Sequence, residues 1–175
     1  MILPLELAGW LVFLIPALGA VLTPVFARIN GNLRDLMAVL IGFITAFIAV
    51  DMLLTMVLTP VVFASEPLRW IAVAGIIEFG VLIDPLSVLL AVIAGGIGSL
   101  IILYSVGYMT GHDEQGNTVK DPSLTRYYFF MQLFVAGMIL LVVADNLLMT
   151  FIGWEIVGMC SYALIGFWHS MKTPS

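Results

Sequence analysis

Long apolar runs separated by short polar breaks dominate the chain, and five of the runs are long enough to cross a bilayer. Spanning a hydrocarbon core of ~30 Å as helix takes about 20 apolar residues, and the qualifying runs fall at about 7–29, 36–57, 85–109, 127–144 and 147–168. Helix is the expected form, because an open strand in lipid leaves its backbone groups unpaired. The pattern thus predicts an all-α membrane protein, a single membrane domain over residues 1–175 with five transmembrane helices. Pro16 and Pro24 are expected to bend the first of them. In the third run Ala91, Gly95 and Ser99 recur every four residues, a small-residue face that lets another backbone approach. The neighbouring Gly95, Gly96 and Gly98 lack the strand-then-helix setting of a dinucleotide site and are read as packing.

The connections add detail. The second, from about Leu58 to Asp84, holds Pro60, Pro67, Gly75 and Gly80 between the β-branched runs "WIAVAG" and "FGVLI", and predicts a loop with a short hairpin. The third, "TGHDEQGNTVKDPSLTR", carries His112 and reads as a plain solvated loop. If the spans alternate, Arg28, Arg34, Lys120, Arg126 and Lys172 fall on one side and Arg69 on the other. The excess of Lys and Arg marks the cytoplasmic side, so the N-terminus is expected outside and the chain in the cell membrane as a multi-pass protein. The N-terminal "MILPLELAGW" has no basic stretch and no small-residue cleavage site, so the first run reads as a retained span.

Composition agrees: 62% of the 175 residues are hydrophobic and 10% charged, the balance of a chain whose solvent is lipid. The net charge of −5 comes from few, scattered groups, so nucleic acid is not an implied partner. Cys160, the one cysteine, sits among apolar neighbours and reads as a small packing residue. No flavin, iron–sulfur or quinone motif is present, and no cofactor is expected in this chain.

The acids divide by depth. Asp84 precedes Pro85 at a helix start, where an N-cap and a first-position proline belong. Asp145 and Asn146 fill a two-residue turn and read as caps. Asp51 is expected near the outer edge of the second helix, about 22 Å along it, as an interfacial group or a secondary functional one. Glu155 is different: it lies about 12 Å and 20 Å from the two ends of its predicted helix, beyond the reach of a snorkelling glutamate. An ionised group at mid-span costs on the order of 3 kcal/mol or more, so Glu155 calls for a proton, or for a cation or water inside the bundle. No Lys or Arg falls in the interior of any span, so the counter-charge is expected from elsewhere: a later helix, a partner subunit or a bound ion. A neutral acid holding two helices together is the structural alternative.

The stretch around this glutamate carries a family pattern. Trp154, Glu155, Val157, Gly158, Cys160, Ser161, Tyr162, Leu164, Ile165, Gly166, Phe167 and Trp168 form W-E-x-V-G-x-C-S-Y-x-L-I-G-F-W. This resembles the fifth transmembrane helix of the antiporter-like subunit 5, or L, of respiratory complex I. The cysteine-serine-tyrosine element favours that subunit over the Mrp-type antiporters, which share the fold and the glutamate. "DPLSVLL" at Asp84, "YSVGYM" at Tyr104 and "RYYFFMQLFVAGMILLVVADNLL" resemble the start and end of the family's third helix and its fourth helix. The first two helices match by topology alone, and the length of the third connection points toward the archaeal relatives that oxidise reduced coenzyme F420. The resemblance implies that Glu155 is the acid of a glutamate–lysine pair in a proton half-channel, ionised when the lysine is near and protonated when it withdraws. It implies as partners the lipid bilayer and the other membrane subunits of a complex I-like oxidoreductase, with the redox centres elsewhere. It places the lysine on a later helix that this chain does not contain. A cation/proton antiporter subunit and a non-transporting scaffold are the rival readings.

Overall fold

The computed structural model describes residues 3–59, 62–64, 68–71, 77–112, 118–120 and 123–167. Five helices, α1 (Leu5–Ile29), α2 (Gly31–Leu58), α3 (Pro85–Tyr108), α4 (Leu124–Val143) and α5 (Leu147–Ile165), are each long and apolar enough to cross a membrane. Helices α1 to α4 close a ring in which α1 packs on α2, α2 on α3, α3 on α4 and α4 back on α1. Helix α5 lies outside this ring and leans on α4.

Local chemistry sets the helix ends. Asp84 accepts from the Ser87 N–H (2.6 Å) while the Ser87 hydroxyl accepts from the Asp84 N–H (2.8 Å), a reciprocal cap completed by Pro85 at the first helical position. Asn146 caps α5 by accepting from the Met149 N–H at 3.0 Å, so the cap of that turn is the asparagine, with Asp145 beside it. Asn30 does the same for α2, accepting from the Asn32 N–H at 2.8 Å. Its extended backbone makes Asn30 the whole α1–α2 turn. Helix α2 therefore begins at Gly31, five residues before the expected start at Leu36, and draws Arg34 and Asp35 into its first turns. Helix α1 continues through both Pro16 and Pro24.

The second connection contains the expected hairpin. Strand β2 (Leu68–Ile71) pairs antiparallel with β3 (Ile77–Phe79), with Arg69 opposite Glu78, and β1 (Phe63–Ala64) pairs with β4 (Leu82–Ile83) outside it. This layer lies over the α4–α5 turn: Val81 bridges to Ala144, the Asp145 N–H donates to the Gly80 carbonyl at 3.3 Å, and the Gly80 N–H meets Met149 Sδ at 3.3 Å. The third connection is not the plain loop expected from its polarity. Thr110–His112 and Thr118–Lys120 form an antiparallel pair, β5 and β6, because the backbone of a polar segment can pair in water as readily as that of an apolar one.

The small-residue face of α3 meets α2. A Cβ on Gly42 of α2 would stand 3.3 Å from the Ser99 Cα, and one on Gly95 would stand 3.6 Å from the Ala46 Cα, so these helices approach at backbone contact. Apolar clusters fill the ring at its two ends. Val12, Met52, Val88 and Ile139 lie toward the β1–β4 layer, and Ala38, Ile102, Leu124 and Tyr128 toward the Asn30 end.

Candidate functional site

Helix α5 is apolar on both faces, and its packing separates them. Met149, Gly153 and Cys160 are buried against α4. The approach is tight because glycines stand on both sides. A Cβ on Gly153 would lie 2.9 Å from the Leu141 N and 3.1 Å from the Gly137 carbonyl, and one on Gly137 would lie 2.8 Å from Ile156 Cγ2. Phe151, Glu155, Gly158, Met159 and Tyr162, at i−4, i, i+3, i+4 and i+7, form a continuous exposed stripe on the other side.

Glu155 is at the middle of that stripe. It stands eight residues after Leu147 and ten before Ile165, so ~12 Å and ~15 Å from the helix ends at 1.5 Å per residue. It is at mid-helix, nearer the C-terminal end than the expected ~20 Å because α5 stops at Ile165 and not Trp168, and its carboxylate does not point into the bundle: it lies on the outer face of α5. The arginines of the helices offer it nothing, because Arg28, Arg34 and Arg126 all lie within three residues of a helix end. Those ends, of α1, α2 and α4, meet on one side of the bundle. At mid-span the stripe can hold or release a proton, or meet a cation brought to it. His112 lies in β5, away from the spans, and His169 is outside the described residues.

Asp51 is buried on α2, seven residues before Leu58 and so ~10 Å from that end. It accepts from the Leu3 N–H at 3.2 Å, which ties the segment before α1 to α2. Asp51 and Glu155 are on helices that do not pack together, and the structure does not unite them in one site.

Two polar groupings inside the ring escaped the sequence reading. Arg34 donates from Nε (2.9 Å) and Nη2 (2.6 Å) to Asp35 Oδ1 and from Nη1 to Thr125 Oγ1 (3.1 Å), and its guanidinium lies 5.6 Å from the Tyr128 ring centroid. Both members of this pair are buried. Deeper in, Gln132 Nε2 donates to Thr23 Oγ1 at 3.4 Å, and the Thr23 hydroxyl donates to the Gly19 carbonyl at 2.8 Å. Gly19 leaves the space in which Gln132 Oε1 rests. The available signal was an amide, Gln132, within an apolar run.

Comparison with known proteins bears on this arrangement. Residues 70–128 match the family described as NADH-ubiquinone oxidoreductase (complex I), chain 5 N-terminus. The NADH-quinone oxidoreductase subunit L of Mycobacterium tuberculosis is 38% identical over 165 residues, which cover 91% of this chain and 24% of that protein. The chain thus spans about a quarter of the length of such relatives. Among solved structures, the Mrp complex from Dietzia sp. DQ12-45-1b is similar at a TM-score of 0.60 and 30% identity, covering 92% of this chain and 16% of the other. The archaeal membrane-bound sulfane sulfur reductase is similar in fold, with a TM-score of 0.69 at 18% identity over 89% of this chain and 29% of the other. The fold and these similarities agree, and the chain belongs to the complex I chain 5, or subunit L, family, whose N-terminal part it matches.

Proposed function

We propose that this protein is the antiporter-like membrane subunit of a proton-translocating quinone oxidoreductase in the cell membrane, and that Glu155 is its proton-carrying carboxylate. The observation that carries this reading is the α5 stripe: a carboxylate at mid-span, flanked by exposed Phe151, Met159 and Tyr162 and without a cation from its own helices. Left in hydrocarbon, the ionised group would cost on the order of 3 kcal/mol or more. A cation on a helix laid against the stripe offsets that cost when close and restores it when withdrawn, so proton affinity follows the position of the cation. The remaining three quarters of the relatives' length is ample to supply such a helix. Electron transfer occurs in other subunits of the assembly, with NADH or reduced F420 as donor, and its free energy drives the alternation.

The test uses the complete complex. In Glu155→Gln the side chain keeps its shape and loses its charge, so proton translocation per electron falls while electron transfer continues. Unchanged pumping removes the role assigned to Glu155. A second reading, exchange of cations for protons, is supported by the 30% identity to the Mrp complex chain. Dependence of transport on a sodium gradient distinguishes it.

A further inference from the structure

Tyr128 and Gln132 stand one turn apart on α4 and point into the α1–α4 ring. They are 0% and 1% exposed, and the Tyr128 hydroxyl and Gln132 Oε1 are buried polar atoms with no hydrogen-bond partner among the described residues. Such atoms are rare in folded proteins, and in a bilayer no bulk water is at hand to relieve them. The protein groups nearest to them leave Gln132 Oε1 without a donor. The Thr23 hydroxyl, beside Gln132, spends its one proton on the Gly19 carbonyl, whereas the Ser105 hydroxyl, beside Tyr128, donates to the Ile102 carbonyl at 2.7 Å and keeps lone pairs that can accept the phenol proton. Flipping the Gln132 amide gives no remedy, because the oxygen would then face the Thr23 hydroxyl, whose one proton goes to the Gly19 carbonyl.

These atoms continue a polar line. It starts at the Arg34–Asp35 pair and Thr125 at the Asn30 end, passes the Tyr128 ring beneath the guanidinium, and reaches Gln132 and Thr23, eight residues or ~12 Å into α4. The line is separate from Glu155. At 100° per residue Tyr128 is about 180° from Gly137 around α4, and Gln132 about 180° from Leu141, and Gly137 and Leu141 are the residues that touch α5. Helix α4 therefore presents one face to the proton-carrying helix and the opposite face to this line.

We propose that the interior of the α1–α4 ring is a water-binding site, with ordered water bonded to Tyr128 Oη and Gln132 Oε1 that extends the Arg34–Asp35 pair into a hydrated line to mid-membrane. Water supplies the donor to the amide oxygen that the protein does not, and competes with the Ser105 oxygen for the phenol proton. This inference stands apart from the role of Glu155 and does not depend on it.

The experiment uses the complete protein in its assembled complex. A cryo-electron microscopy map that resolves ordered water is expected to show density within hydrogen-bond distance of Tyr128 Oη and of Gln132 Oε1. Closed packing with no such density overturns the proposal. Stability gives an independent sign. Tyr128→Phe keeps the ring under Arg34 and removes only the hydroxyl. If that hydroxyl is dry, its loss leaves the melting temperature unchanged or raises it; if it binds water, the melting temperature falls. Ser105→Ala separates the remaining explanation. A Tyr128→Phe drop that persists undiminished in the Ser105→Ala background supports water, and one that disappears there means that Tyr128 and Ser105 bond directly, which overturns the water site at Tyr128.

Discussion

Arg34 and Asp35 are each 6% exposed, and a buried pair of this kind adds little net stability while whole but is costly to break by removing one partner. Arg34→Met leaves the Asp35 carboxylate in the ring without its guanidinium and removes the donor to Thr125, so the variant should lose about 3–5 kcal/mol of stability. Arg34→Met combined with Asp35→Leu removes both charges and should recover most of that loss. Unfolding free energies of the two variants and the parent check it, and a double variant no more stable than Arg34→Met contradicts it. Individual residues differed in how much of this their sequence context revealed. The caps at Asp84 and Asn146 could be read because a cap depends on three or four consecutive residues. The Arg34 pair could not. Asn30 forms a one-residue turn, and that geometry, with Thr125 at the start of α4 reached by Arg34 across the ring, converts two apparent loop charges into buried ones. Glu155 was legible in depth and not in direction, since depth follows from helix length alone while direction depends on which face of α5 meets α4.

At the scale of the element, glycine decides how close α4 and α5 come, and the two interface glycines should not be equally replaceable. A methyl group on Gly153 would stand 2.9 Å from the Leu141 backbone N and 3.1 Å from the Gly137 carbonyl, atoms that move only if the helices part. On Gly137 the nearest atoms are side-chain ones, Ile156 Cγ2 at 2.8 Å and Ile156 Cβ and Val157 Cγ2 at 3.2 Å, which a small shift of α5 relieves without parting two backbones. Gly153→Ala should therefore destabilise by about 1–3 kcal/mol, the usual range for overpacking, and Gly137→Ala by less. Because Glu155 is two residues from Gly153 and moves with α5, proton translocation should also fall in Gly153→Ala; unfolding and translocation assays on the two variants side by side test both points. Among the elements, the five spans and the small-residue face of α3 were readable because length and a four-residue repeat are local properties, whereas α2 as the partner of that face was not. The packing face of α5 was not. Its run is apolar all round, so periodicity carries no information about which side α4 covers. The β5–β6 pair was missed for a related reason: its ladder is made by the backbone, which composition does not report.

The whole molecule joins a ring of four helices to a peripheral fifth, and its expected orientation in the membrane rests on the count of Lys and Arg at the two ends of the spans. The sequence sets Arg28, Arg34, Lys120, Arg126 and Lys172 against Arg69. Arg34 is buried beside Asp35, and although the rule counts Lys and Arg and not net charge, the stricter count leaves it out. Lys172 is outside the described residues. Even without Arg34 the balance is four against one, and the sign is unchanged: the Asn30 turn and the β5–β6 hairpin should face the cytoplasm, and the N-terminus, the β1–β4 layer and the α4–α5 turn should face outward. Cysteine labelling checks this against a quiet background, because Cys160 is buried at 0% exposure. Ala64→Cys, in exposed β1, should react with a membrane-impermeant thiol reagent in intact cells. Asn32→Cys, exposed beside the α1–α2 turn, should react only when the membranes are inverted. The reverse result would place the N-terminus inside. It would also put the Arg34–Asp35 pair, and the polar line that runs inward from it, at the outer surface, so the labelling decides from which side of the membrane that line is reached.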